Sequence, residues 1–240
     1  MAGRTFVVGD IHGCLPELDA LLAGLKLAPG DTLACLGDYV DRGTDSRGVI
    51  DLLLEVAALS GLRTIFLRGN HEDMMLGWLG RGGAYGDAWL RNGGGDTLES
   101  FGFKPPWPEP GHVAARLEGR YLTFLQGTPS HHEVDDHLLV HAGIRPGIPL
   151  ERQTREDMLW IRGEFIEATH DLGRTVVFGH TPVSEVLVDL PYKIGIDTGC
   201  VYGGHLTALE LPGHTLHQVA EGERKVKSRR LAGRPTRRRA

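Results

Sequence analysis

The sequence predicts an α/β fold in which a parallel βαβ layer is followed by a second, mixed sheet. Three observations predict it. β-like runs alternate with helical patterns through the first third of the chain. Several of these strands stop abruptly at clusters of Gly, Asp, Asn and His. The later strands lie close together and are joined by turns.

Thr5-Phe6-Val7-Val8 reads as a strand that stops at Gly9-Asp10. Leu15, Leu18, Leu21, Leu22 and Leu25 recur at helical spacing, with Pro16 suited to a first helical turn. Pro29-Gly30-Asp31 is a turn before the strand Thr32 to Leu36. Val49 to Leu59 reads as a buried helix and Thr64 to Leu67 as the next strand, which implies right-handed parallel crossovers. Glu72 to Leu79 opens another helix, and residues 80 to 112, rich in Gly, Pro and Trp, predict a helical or irregular excursion over the site. Strands follow at Leu138 to Val140, Val176 to Phe178, Val186 to Val188, Lys193 to Ile196 and Leu206 to Leu211.

A chain of 240 residues suffices for one domain with one sizeable core. The net charge of −5 hides an asymmetry. From Arg224 to Ala240 there are nine Lys or Arg and no acid, which leaves 17 basic against 31 acidic residues, a net of −14, in the preceding 223. An acidic body with a basic tail is two objects. We therefore expect a catalytic domain over residues 1–221 and a disordered basic tail over 222–240. Cys14, Cys35 and Cys200, without CxxC spacing, predict buried free thiols. No apolar run approaches the roughly 18 residues of a membrane span, and no leader pattern opens the chain; we expect a cytoplasmic monomer.

Five clusters carry the chemistry: Gly9-Asp10-Ile11-His12-Gly13, Gly37-Asp38-Tyr39-Val40-Asp41-Arg42-Gly43, Arg68-Gly69-Asn70-His71-Glu72, His141-Ala142-Gly143 and Gly179-His180-Thr181. Sites in open α/β sheets form at the carboxyl ends of strands. Asp10 and His12 are two apart, so an extended backbone would point both to one side. One Asp after a strand is ordinarily a cap or turn former, and one His is ordinarily structural. Five such clusters in matching context are not explained that way. Carboxylate and amide oxygens with imidazole nitrogens suit Mn, Fe, Zn or Ni, whereas copper would call for sulfur. Six ligands serving two ions require one to bridge, and Asp38 is the candidate. Two metals roughly 3.5–4 Å apart would grip a phosphoryl group and ionise a shared water.

Taken together, these motifs resemble the phosphoprotein phosphatase branch of the calcineurin-like metallophosphoesterases, most closely the small bacteriophage lambda and bacterial serine/threonine phosphatases. Glu72-Asp73-Met74-Met75, Trp89 with Asn92-Gly93-Gly94-Gly95, Leu159-Trp160-Ile161-Arg162 and Ile196-Asp197-Thr198-Gly199 extend the likeness over about Phe6 to Leu211. The resemblance implies a two-sheet metallophosphoesterase sandwich with helices outside and metals at the strand-end loops. It implies Asp10, His12 and Asp38 at one metal, and Asp38, Asn70, His141 and His180 at the other. It makes His71 the general acid, held protonated and oriented by Asp41. Arg42 and Arg162 would bind phosphate oxygens, a guanidinium fork matching two of them. Arg68 is a candidate for the same job, with a surface salt bridge as its other reading.

The reaction implied is one-step phosphomonoester hydrolysis with two divalent ions, manganese preferred, on phosphoserine or phosphothreonine in proteins or peptides. The alternative is a dinucleoside tetraphosphate hydrolase. Retention of Asp41, at which the nucleotide hydrolases typically differ, favours the phosphatase. The tail could instead bind nucleic acid or another polyanion, or merely solubilise the chain. His131 and His132, adjacent on a strand, face opposite ways and read as surface residues. Trp78, Trp89, Trp107 and Trp160 read as core or lid packing, while Tyr39 and Tyr202 could line the cleft or pack.

Overall fold

The computed structural model describes residues 3–117 and 119–231. β1 (Thr5–Val8), β2 (Thr32–Cys35) and β3 (Arg63–Phe66) are parallel neighbours, linked by crossover helices α1 (Leu15–Leu25) and α2 (Ser46–Ala57). α3 (Asn70–Trp78) follows β3, and the excursion holds short helices α4 (Gly94–Ser100) and α5 (Pro110–Arg116), then α6 (Gly119–Gln126). β4 (His131–Val134), β5 (His137–Val140), β6 (Thr175–Phe178), β7 (Leu187–Asp189) and β8 (Lys193–Gly195) build a second sheet in the order β4-β5-β6-β8-β7. Within it, α7 (Arg155–Trp160) and α8 (Gly163–Ile166) connect β5 to β6. The chain then returns to the first sheet through β9 (His205–Leu211), β10 (Thr215–Ala220) and β11 (Lys227–Arg230), giving the order β11-β10-β9-β1-β2-β3.

Alternation along the strands builds the layers. Phe6, Val8, Leu33 and Cys35 point toward α1 and α2, while Val7 and Ala34 point the other way and meet Leu139, Val177 and Ile194 of the second sheet. Leu138, Val140, Val176 and Phe178 face outward from that sheet under Met158 and Phe165. The result is the expected α/β sandwich of two sheets with flanking helices, in which β1, β2, β5, β6 and β8 are buried on both faces.

Local chemistry moves several boundaries. α2 starts at Ser46 rather than Val49, because the Asp45 carboxylate accepts from Gly48 N at 2.7 Å and caps the first turn. α3 starts at Asn70 rather than Glu72, because Glu72, at the third helical position, reaches back to accept from Gly69 N at 2.9 Å. The expected disordered tail from residue 222 is corrected for its first part. Lys227–Arg230 pairs antiparallel with β10, Val226 packs against Gly24 of α1, and Leu231 joins the inter-sheet core. Every β11 side chain is exposed, so Lys227, Arg229 and Arg230 charge the outer strand, a pattern that blocks edge-to-edge pairing. The remainder, residues 232–240, lies outside the described residues. All three cysteines are buried and free, and no described helix is long and apolar enough to cross a membrane.

Candidate active site

The carboxyl ends of β1, β2, β3, β5, β6 and β8 converge, and the polar clusters follow these strands. The loops that carry the predicted ligands are conformationally costly. His12, Asp38, Asp41, Arg42 and His180 all adopt left-handed backbone conformations, with φ of 45°, 52°, 74°, 70° and 64°. Asp10 and His12 are therefore brought to the site by a turn, and the extended-backbone expectation is corrected. Gly69 is required by closeness: a side chain there would start 2.1 Å from Asp38 Oδ1.

Asp38 sits at the centre. Its Oδ2 lies 3.4 Å from His12 Nε2 and its Oδ1 lies 3.5 Å from His141 Nε2. Two groups with metal-ligand spacing share it: His12, Asp38 and His71 on one side, and Asp38, His141 and His180 on the other. Asn70 Oδ1 stands 2.9 Å from both His141 Nε2 and His180 Nδ1. Asp10 enters from β1, both its oxygens accepting from His180 N at 3.2 and 3.0 Å. All six proposed ligands are thus brought into one buried cluster.

The donor set fits divalent cations on a tautomer argument. A carbonyl only accepts, so His141 Nδ1 donates to Leu36 O at 3.0 Å and His12 Nδ1 donates to Val40 O at 2.8 Å. Each Nε2 is then a bare lone pair. The His141 lone pair faces Asn70 Oδ1 at 2.9 Å, a repulsion that a cation between them turns into attraction. Burial keeps the imidazoles neutral, as ligation needs: it lowers His12 to about 3 and also pushes down His141 and His180. Asp38 goes the other way. Burial would raise it, but the imidazoles around it, among which His71 is the one held protonated, keep it below the usual carboxylate range. Asp10, Asp38, Glu72 and Asp197 are all buried, and burial raises Asp10 strongly, Asp197 to about 6 and Glu72 to about 7. Four buried carboxyl groups in one place call for positive charge.

His71 stands beside this cluster, its ring edge-on to His12 at 4.7 Å. Its Nδ1 lies 2.6 Å from Asp41 Oδ2. Burial opposes its charge, yet Asp38 and the hydrogen-bonded Asp41 together hold His71 above the ordinary histidine range. Asp41 is itself fixed by Trp89 Nε1, at 3.0 and 2.9 Å from its two oxygens, and by Thr97 Oγ1 at 2.6 Å. Arg42 Nη1 reaches His12 Nε2 at 2.6 Å, and Arg162 Nε reaches His180 Nε2 at 3.1 Å, so both arginines flank the cluster.

Arg68 does not join them. Its guanidinium is buried and donates to Thr128 Oγ1, Leu125 O and Gln126 O, which corrects the phosphate-binding expectation. It ties the loop after α6 to β3 instead, and the salt bridge of its other reading exists but is buried, with Asp73 Oδ1 3.6 Å from Arg68 Nη1. Tyr39 is core, whereas Tyr202 is exposed at the site.

The roles of four contributors escaped the sequence reading. Glu72 accepts from Asp38 N, Tyr39 N, Val40 N and Gly69 N, at 2.8, 2.8, 3.2 and 2.9 Å, and so shapes two ligand loops at once. Its signal was the capping-box position, three residues after Gly69. Trp89 packs in the core as expected but also orients Asp41, and Thr97 carried no sequence signal for that role. Asp197, at the end of β8, lies close enough to raise Asp10.

Comparison with known proteins places this geometry. The calcineurin-like phosphoesterase family model matches residues 3–209. The bis(5'-nucleosyl)-tetraphosphatase PrpE [asymmetrical] of Bacillus thuringiensis (strain Al Hakam) is 28% identical over 232 residues, covering 86% of this chain and 89% of that protein. Its counterpart from Bacillus anthracis (strain A0248) shows the same identity and coverage. A solved structure described as a putative diadenosine tetraphosphatase superposes with a TM-score of 0.71 at 26% identity, covering 92% of this chain and 95% of that one. The cold-active protein-tyrosine phosphatase of a psychrophilic Shewanella species shares the fold, with a TM-score of 0.63 at 18% identity over 95% of this chain and 80% of that one.

Proposed function

We propose that this chain, which belongs to the calcineurin-like phosphoesterases, hydrolyses bis(5'-nucleosyl) tetraphosphates at a site that holds two divalent metal ions. Hydrolysis of a phosphoester is the coarse activity of the family. One observation carries the dinuclear reading: the two oxygens of Asp38 face different histidines, with a further ligand group beyond each. Asp10, His12 and Asp38 would hold one ion; Asp38, Asn70, His141 and His180 would hold the other, and manganese suits these oxygens and nitrogens, as do iron, zinc and nickel. When bound, the pair supplies positive charge to the phosphoryl oxygens and acidifies the attacking water.

The chain's own residues do the rest. Arg42 and Arg162 grip phosphate oxygens at the two ends of the cluster. His180 must carry its proton on Nε2 when Nδ1 is a ligand, which leaves the Arg162 fork for substrate. Water oxygen bonds to phosphorus in line as the bond to the leaving oxygen breaks. His71 delivers its Nε2 proton to that oxygen, and Asp41 stabilises the charged imidazole that precedes delivery.

The tetraphosphate substrate is supported by relatives that match this chain nearly from end to end and bear that name. A second reading, phosphoserine or phosphothreonine in proteins, is favoured by the Asp41–His71 contact of 2.6 Å. A nucleotide leaves as a stabilised phosphate anion, whereas a serine alkoxide needs a proton, so a dedicated acid is of most use to a phosphomonoesterase. Cytoplasmic location and a basic end that meets polyanions remain part of this proposal. Turnover of diadenosine tetraphosphate, a phosphoserine peptide and 4-nitrophenyl phosphate, each with added manganese, tests it. The tetraphosphate should give the highest kcat/KM. A phosphopeptide that outruns it replaces the first reading with the second.

A further inference from the structure

We infer that two arginine–aromatic pairs, Arg42 with Tyr202 and Arg162 with Trp160, are nucleotide subsites at opposite ends of the ligand cluster, each taking a phosphate on the guanidinium and a base on the ring. The inference rests on the tetraphosphate reading, a substrate with a base at both ends.

The cluster runs from His12 through the shared Asp38 to His180. Arg42 contacts the His12 end and Arg162 the His180 end. At the first end, the Arg42 guanidinium carbon lies 5.6 Å from the centre of the Tyr202 ring. Tyr202 belongs to the short turn after Asp197 and is 58% exposed, the most open of the four large exposed hydrophobic side chains among the described residues. Leaving that much aromatic surface in water forgoes burial at a place where four buried carboxyl groups would otherwise attract only cations and polar groups.

At the second end an arginine and an aromatic ring line one cleft. Trp160, Arg162 and Arg145 line a cavity of about 650 Å³, a size that accepts a nucleoside. The Trp160 ring lies 6.0 Å from the His180 ring, so this cavity opens directly beside the ligands. Another exposed aromatic, Tyr85 of the excursion, meets the Trp160 ring edge-on at 5.3 Å and is anchored by its hydroxyl to Glu156 at 2.7 Å. Glu156 and Glu164 on the same walls can accept from base amino groups but would repel phosphate. That division of labour keeps phosphates on the arginines and directs the base into the cleft. An aromatic face stacks any base, so these subsites fit nucleotides as a class.

The test uses the full chain with manganese and matched inhibitors of 4-nitrophenyl phosphate turnover: adenosine triphosphate and inorganic tripolyphosphate. The two share the triphosphate and differ in the nucleoside. In the wild-type chain adenosine triphosphate should inhibit at a concentration about tenfold lower than tripolyphosphate does, the scale of one stacked base. Tyr202→Ala and Trp160→Ala should each shrink that ratio, and the double variant should bring it close to one. Tyr202→Phe and Trp160→Phe should restore most of it, which separates stacking from misfolding. Equal inhibition by both compounds in the wild type overturns the inference, as does a double variant that keeps the wild-type ratio. If the ratio behaves as expected while diadenosine tetraphosphate is not turned over, the subsites stand and the tetraphosphate reading falls.

Discussion

The first sheet carries two ends of opposite character. Beyond β1 and β2 the backbone is forced into left-handed turns, and buried carboxyl groups crowd one another. Along β9 to β11 the backbone is regular, the inward side chains are mostly apolar, and the outermost strand is basic and fully exposed. Each strained residue costs on the order of 1–3 kcal/mol. The regular ladder and the core beneath it offset that cost, so the molecule is least optimised for stability where it is organised for chemistry. β9 joins the two ends physically, pairing with β1 through Thr5↔Leu211 to Val8↔Ala208.

This contrast can be broken most severely at Asp38. Asp38→Asn should lower turnover by on the order of 10³-fold or more, the scale of losing a main electrostatic stabiliser of the transition state. Thermal stability should fall, because a carboxylate held below its ordinary pKa stabilises the fold near neutrality and a lost metal withdraws its binding energy, and elemental analysis should find less than two metals per chain. Two retained metals with near-normal activity would remove Asp38 from the bridging position.

His71→Asn sharpens the comparison by separating binding from proton transfer. Turnover of an alkyl phosphate such as phosphoserine should fall by about 10²–10⁴-fold. Turnover of 4-nitrophenyl phosphate, whose leaving group needs no proton, should fall far less, with metal content unchanged. In the wild type, alkyl phosphate turnover should decline as pH rises through the raised pKa of His71, because only the protonated ring donates. Equal losses on both substrates would make His71 a positioning residue.

The opposite end is probed by Leu231→Ala, which opens space in the inter-sheet core behind β11. It should cost about 2–3 kcal/mol of unfolding free energy while leaving kcat/KM within twofold. A variant as stable as wild type would mean that the chain beyond β10 contributes little to the fold.

The smallest effect lies at the start of β2, where Asp31 accepts from Arg4 N, Ala28 N and Arg4 Nη2 at 2.9, 3.0 and 2.7 Å. Burial would raise its pKa, but these donors hold it below the ordinary value. Its contribution is therefore present above the unfolded-state pKa and is lost as pH falls through the lower folded-state pKa. Asp31→Asn should cost about 1 kcal/mol near neutrality, discounted for the 40% exposure of the Arg4 side chain. Chemical denaturation in steps from pH 6 to 2 should show the gap closing toward the acid end. A gap that persists at pH 2 would assign the effect to packing.

The legibility of the two ends differed for a physical reason. Asp10, Asp38 and Asn70 follow β-like runs directly, so the chain itself marks where each strand ends and polar chemistry begins. β10 and β11 carry no such signal. Lys227, Ser228, Arg229 and Arg230 have no apolar alternation because β11 is an edge strand with exposed side chains, and its order comes from the β10 ladder and from Leu231 below it. A basic run that looks solvated in sequence can still be a strand when its partner is already in place. The preference for a phosphoprotein substrate likewise rested on Asp41, a residue that reports the leaving group's need for a proton but nothing about what surrounds the phosphate.

By itself the sequence determined that the first three strands are parallel βαβ units and that they and two later strands end in polar clusters, because each depends on residue type along one short stretch; the pairing of His71 with Asp41 entered only through the family resemblance. Only the tertiary structure decided that Arg68 holds the loop after α6, that Glu72 shapes two ligand loops, that Trp89 and Thr97 orient Asp41 from 48 and 56 residues away, and that Tyr202 stands open beside Arg42. Those facts depend on distances between residues far apart in the chain, and such distances exist only once the two sheets have closed on one another.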